Sequence, residues 1–146
     1  MSAGTYYGEG WGKEFWRNYY TRTISANCVT VYDPSEVFTY HKDGMRTAEA
    51  NDGGQKMTEY KFSLAENMAD DNIVAITENS FIGPNEYTTA FSYLKGDLTT
   101  SYSANKMESY KRAMVFMDTF NEEYPGVMIV FDRVVSKDAG FKKNWL

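Results

Sequence analysis

Residues 16–31 read WRNYYTRTISANCVTV, a run that opens with aromatic and basic side chains and closes on alternating valines. From 21 to 32 the residues are mostly β-branched or small, and Val29 and Val31 alternate with Thr30 and Tyr32. That alternation predicts a strand with one face buried. Asp33-Pro34-Ser35 ends it, because Pro34 removes a ladder donor. The rest of the chain reads as further strands able to pair with this one or pack on it.

Working outward, 37–40 reads as a short second strand. Residues 43–56 hold Gly44, Asn51, Asp52, Gly53 and Gly54 with few large apolar residues, and predict a long loop. Strands follow at 73–77 and 86–94. Lys95-Gly96-Asp97 reads as a turn, and 98–103 continues the chain. In 107–117 the spacing of Met107, Tyr110, Met114 and Met117 fits a helical face. The same residues alternate, and a strand agrees better with their neighbours. Residues 121–126 predict a turn, 127–135 the clearest strand, 137–140 a turn and 141–146 a last strand. Short strands punctuated by Gly, Pro and Asn predict an all-β fold, an antiparallel β-sandwich formed by one domain over 1–146. Both ends of the chain read as cuts.

The formal net charge is −5, and a binder of polyanions normally presents a basic surface, so nucleic acid is excluded as a partner. No run approaches the ~18 apolar residues of a membrane span. The first residues, MSAGTYYGEG, lack the basic and apolar regions of a signal peptide. Cys28 is the one cysteine, which excludes an internal disulfide. Aromatic residues make up 16%, a share that suits cross-strand packing and also offers flat apolar faces to sugars. In 1–15, Tyr6, Tyr7 and Trp11 stand among four glycines, either a mobile arm or a loop presenting aromatics at the rim of a site.

Five stretches in order carry a resemblance. Residues 16–29 are similar to W-x-N-Y-Y-x-R-T-I-A-H-N-T-V, and 32–38, YDPSEVF, to Y-D-P-x-E-x-F. Residues 51–55 are NDGGQ; 93–103 resemble Y-x-x-x-D-x-T-x-A-Y; and 130–134 with 141–146 resemble V-x-D-R-V followed by K-x-W-L-L-H. Together they resemble the polysaccharide lyases of the heparinase II/III type, over the C-terminal β-sandwich part only. Such enzymes join a helical toroid to antiparallel sheet layers and cleave acidic polysaccharides, glycosaminoglycan or alginate, by β-elimination. The resemblance implies a periplasmic or extracellular setting. It also implies that the helical part, with much of the catalytic apparatus, is not in this chain.

The family's motif histidine falls on Ala26, whose methyl cannot bind metal. With His41 the only imidazole and Cys28 the only thiol, a zinc set of about four ligands is not available, and no cofactor is expected. Elimination needs a base for the proton α to the uronate carboxylate. Tyr7, with Tyr6 second, falls where the family's β-domain tyrosine lies, and Arg17 and Arg22 are the cations that could activate it. Trp11, Trp16, Asn18, Tyr19, Arg22, Asn51 and Gln55 are the candidate substrate-binding residues. Plainer roles compete: Arg22 and Arg133 would pair with carboxylates such as Asp33 and Asp132, and Gly53-Gly54 would define a tight turn.

The resulting expectation is the sandwich part of an acidic-polysaccharide lyase, inactive as an isolated chain and binding the polymer weakly or through a helical domain supplied by another chain. The alternative is a non-catalytic carbohydrate-binding or assembly domain, pairing with a partner chain or a second copy through sheet edges. A third reading makes Ala26 a substitution within an otherwise active enzyme.

Overall fold

In a computed structural model, the structure describes residues 19–37, 41–42, 45–46, 51–56, 63–67, 75–87 and 89–146. The fold is all-β and antiparallel, as the punctuation of the sequence predicts. Strand β1 (Val29–Tyr32) pairs with the last strand, β8 (Lys142–Trp145), joining the two halves of the chain. Between them, β2 (His41–Lys42) and β3 (Met45–Arg46) form a small pair, and Leu64–Asn67 is a one-turn helix, α1. The second main sheet is a meander of β4 (Ile76–Pro84), β5 (Thr89–Asp97), β6 (Met107–Asp118) and β7 (Gly126–Ser136), in that spatial order.

The two sheets meet at one end of the meander. Val29 and Val31 from β1 pack with Tyr102, Met107 and Tyr110, and Leu98, Val134 and Phe141 close the cluster. These five core residues are 5% exposed or less, so the apolar burial that holds the layers together is concentrated there. The distal half of the meander has no layer on it among the described residues. Phe116, Met128 and Ile82 on one face and Phe131, Ile129 and Phe81 on the other are about half exposed or more, from 48% to 66%.

Several expectations are corrected. The strand expected over 21–32 begins only at Val29. Thr23–Ser25 is a 3₁₀ turn, because the Ser25 hydroxyl donates to the carbonyls of Tyr20 and Arg22, 3.0 and 2.9 Å away, in place of a sheet ladder. Lys95-Gly96-Asp97 is strand rather than turn: Lys95 and Asp97 point to one face and pair across it with Glu78 and Lys111. Residues 98–103 leave the sheet, since the Asp97 carboxylate accepts from the Thr99 amide and hydroxyl and folds Thr99–Ser101 into a 3₁₀ turn. Strand β4 starts at Ile76 and runs to Pro84, later and longer than 73–77; β5 is displaced likewise from 86–94.

The loop expected at 43–56 is in part β3 and in part an ordered turn, and 38–40 of the expected second strand lie outside the described residues. The strands expected at 107–117, 127–135 and 141–146 are present. The turn between β6 and β7 is built by Asn121, whose side-chain oxygen accepts from the amides of Glu123 and Tyr124 at 2.8 and 3.1 Å.

The Asp97 cluster gives a pH prediction. Burial works to raise the Asp97 carboxyl but is outweighed by the bonds from Lys111 and Thr99, which hold it down to about 2 against an ordinary 3.8. A folded-state pKa below the unfolded one stabilises the fold above the unfolded value and loses that contribution as pH falls through the folded one. Between about pH 4 and pH 2, the fold should lose roughly 1–2 kcal/mol from this group after allowing for solvent screening. Urea titrations of the parent and Asp97→Asn across that window should converge as the pH falls. Parallel curves would show that Asp97 is not the group responsible.

Candidate functional site

The NDGGQ turn, 51–55, is where side chains and carbonyls of Arg22, Thr23, Asp33 and Lys106 come together. Its own side chains shape it: Asn51 Oδ1 accepts from the Gly53 amide at 3.1 Å, and Asp52 Oδ1 from the Gly54 amide at 2.8 Å. Gly53 has a φ of +72°, and a side chain there would press on the β1 backbone at Val31, 3.0 Å away. That close approach lets the Gly53 carbonyl accept from the Val31 amide at 2.8 Å, so the turn lies along the free edge of β1.

Neighbouring stretches then lock onto it. Arg22 pairs with Asp52, and the Thr23 hydroxyl accepts from the Gln55 amide at 2.7 Å. The Asn51 amide donates to the Asp33 carbonyl at 2.5 Å. Asp33 is held below the usual carboxylate range, chiefly by the Ser35 hydroxyl and amide. From below, the Lys106 ammonium donates to the Gly54 carbonyl at 2.6 Å and pairs with Glu36. Lys106 is fully buried (0% exposed), 5.6 Å over the Tyr102 ring. Burial draws its pKa down from the usual lysine value while the Glu36 carboxylate holds the charge in place.

Beneath this layer, the Tyr102 hydroxyl donates to the Val29 carbonyl, and Arg112 grips Asp132 through two bonds of 2.7 and 2.8 Å while donating to the Asn27 carbonyl at 2.7 Å. Arg112 is thereby kept above the ordinary arginine range, first by the Asp132 bond. Burial pushes both Tyr102 and Tyr110 above the usual tyrosine pKa, so neither is suited to act as a base near neutrality.

Of the residues singled out from sequence, Arg22, Asn51 and Gln55 come together here: the Arg22 and Asn51 side chains are bonded to Asp52 and to the Asp33 carbonyl, and Gln55 is tied in through its main-chain amide. Tyr19 is half-buried, edge-on to Tyr20 with ring centroids 5.9 Å apart. Tyr7, Trp11, Trp16 and Asn18, with Tyr6 and Arg17, lie outside the described residues. The pairings expected for the arginines are corrected: Arg22 is bound to Asp52 rather than Asp33, and Arg112, not Arg133, holds Asp132. Ala26 lies at the end of the 3₁₀ turn, its amide donating to the Thr23 carbonyl at 3.1 Å. Among the described residues no three His, Cys, Asp or Glu side chains are grouped as a metal site, and no helix is long and apolar enough to cross a membrane. Lys106 and Tyr102 were not legible as partners of the turn, because nothing in their local spacing marks them.

The hydroxyls of the two buried tyrosines behave differently. Among the described residues, the Tyr110 hydroxyl makes no hydrogen bond of good geometry, although Asp132, held by Arg112 in a two-bond fork, is close enough to act on it. Tyr110→Phe should therefore leave stability within about 0.5 kcal/mol of the parent, whereas Tyr102→Phe strands the Val29 carbonyl and should cost about 1–3 kcal/mol. Chemical denaturation of the two variants checks this, and equal losses would contradict the assignment.

No family model matches the chain, and no curated protein matches it.

Proposed function

We propose that this chain is the β-sandwich part of an acidic-polysaccharide lyase of the heparinase II/III type, and that it does not carry out β-elimination by itself. The observation that supports this best is the bare apolar surface of the meander beside β1 and β8. Leu94, Met114, Phe116, Met128 and Val130 continue the face on which β1 and β8 sit; Leu94, Phe116 and Met128 are exposed there, and Met114 and Val130 are half-buried between them. A surface of that kind fits a further layer docked alongside the small sheet, where a helical domain would stand. The NDGGQ turn would then contribute to the wall of a cleft completed by that domain, with a base from outside the described sheet residues.

The experiment is the ultraviolet absorbance of the unsaturated product of uronate elimination. The chain would be incubated with heparin, heparan sulfate, chondroitin or alginate, alone and with Ala26→His, in each case with and without a separately expressed helical domain of such a lyase. Product only when the helical domain is present supports the reading. Product from the chain alone would show a complete site in 146 residues, and product only with Ala26→His would make position 26 the one that silences it. Absence of product in every mixture, together with absence of binding to any of the polymers, removes the lyase reading and leaves an assembly domain.

A further inference from the structure

The face of the meander turned away from β1 and β8 is a second apolar surface, and the register defines it. Phe81 stands opposite Tyr93, Tyr93 opposite Val115, and Val115 opposite Ile129; Phe131 and Met117 extend the row on either side. Phe81 and Tyr93 stack with ring centroids 4.9 Å apart, so this surface is ordered by its own packing. Phe131, Ile129 and Phe81 are nevertheless 66%, 49% and 48% exposed. A contiguous patch of this kind marks a protein contact.

The charges at its two ends are opposite. Beyond Met117 the β6–β7 hairpin carries Glu122 and Glu123, both exposed, with no basic residue between 117 and 126; Asp118 falls on the other face by register. At the other end, Lys95 and Lys111 are neutralised by Glu78 and Asp97, which leaves exposed Arg133, opposite Lys111, as the net charge on that face. Outside the face, Lys137, Asp138 and Glu108 at that end sum to −1, so the positive charge is local to Arg133 on the face itself. Ile129 lies roughly midway along the ribbon between Arg133 and the acidic hairpin.

We infer that this face binds a second copy of the chain, face on face, about a two-fold axis at Ile129. Two-fold packing requires a self-complementary surface. Here the apolar row meets itself, and each Arg133 falls on the partner copy's acidic hairpin. This goes beyond the lyase reading, which uses the opposite face, and either can fail without the other.

The test is sedimentation and light scattering of the full chain, with circular dichroism to confirm that each variant is folded. The parent should have the mass of two chains at micromolar concentration. Arg133→Glu, and separately Glu122→Arg with Glu123→Arg, should each weaken association roughly tenfold or more by facing like charges. Mixing the two variants should restore the dimer. In a Cys28→Ser background, Ile129→Cys should cross-link under mild oxidation, because the axis places the two copies of position 129 together. A monomeric parent, a dimer indifferent to the charge changes, or absence of the Ile129→Cys cross-link would each overturn the inference; an indifferent dimer would point to pairing through sheet edges.

Discussion

Lys106→Met should lower the stability of the fold by about 3–5 kcal/mol, the largest effect expected of any single substitution in this chain. The methionine keeps the length and apolar stem of the lysine, so the loss isolates the ammonium. Without it, Glu36, whose side chain is 10% exposed, has no counter-charge, and the Gly54 carbonyl loses a donor at 2.6 Å. An uncompensated buried charge costs more than the pair was worth, because neither water nor protein then solvates it. The same logic predicts partial recovery in Lys106→Met with Glu36→Met, where the charge is removed along with its partner. Urea denaturation of the two singles and the double measures the coupling directly. Hydrogen exchange adds a local readout: the amides of Val31 and Gln55, which bond to the turn and to Thr23, should exchange faster in the single variant. A loss below about 1 kcal/mol in Lys106→Met would mean the pair is solvated and the turn is held by its own side chains.

What could be read from the sequence follows from how local each signal is. Strand β7 was legible because it is long and rich in β-branched residues, and the turn before it is built from nearby side chains. Strand β6, whose methionines at 107, 114 and 117 fit a helical face as well as an alternation, was legible as a strand only from its neighbours. Strand β1 was half legible: Val29 and Val31 alternate, but the serine that diverts the preceding residues acts through bonds to Tyr20 and Arg22 that composition does not reveal. Lys95-Gly96-Asp97 misleads for a related reason, since charge and glycine suggest a turn until the cross-strand partners Glu78 and Lys111 are known. The NDGGQ turn declares itself through its glycines, whereas Lys106 reaches it from 52 residues away. The candidate site was thus legible where the chain bonds to its neighbours in sequence, and silent where a distant side chain completes it.

Arg112→Met should cost about 3 kcal/mol, close to the loss at Lys106, and it decides which arginine holds Asp132. The guanidinium makes two bonds to Asp132 and a third to the Asn27 carbonyl, so one side chain ties β6 to β7 and both to the segment entering β1. It also lies 5.8 Å over the Tyr110 ring, where the flat guanidinium closes one side of the core cluster. Arg112→Lys keeps the charge but not the fork, and an ammonium cannot serve both Asp132 oxygens and Asn27 in that geometry; an intermediate loss of about 1–2 kcal/mol is expected. Arg133→Gln is the control. Arg133 is exposed on the opposite face of β7, and its loss should stay within about 0.5 kcal/mol when measured on dilute protein. If Arg133→Gln cost as much as Arg112→Met, the Asp132 pairing would have to be reassigned, and with it the anchor between the two sheets. If only the Arg112 variants lose stability, the layers are joined at this bidentate pair, and the distal meander stands as a cantilever whose faces are free to meet other surfaces.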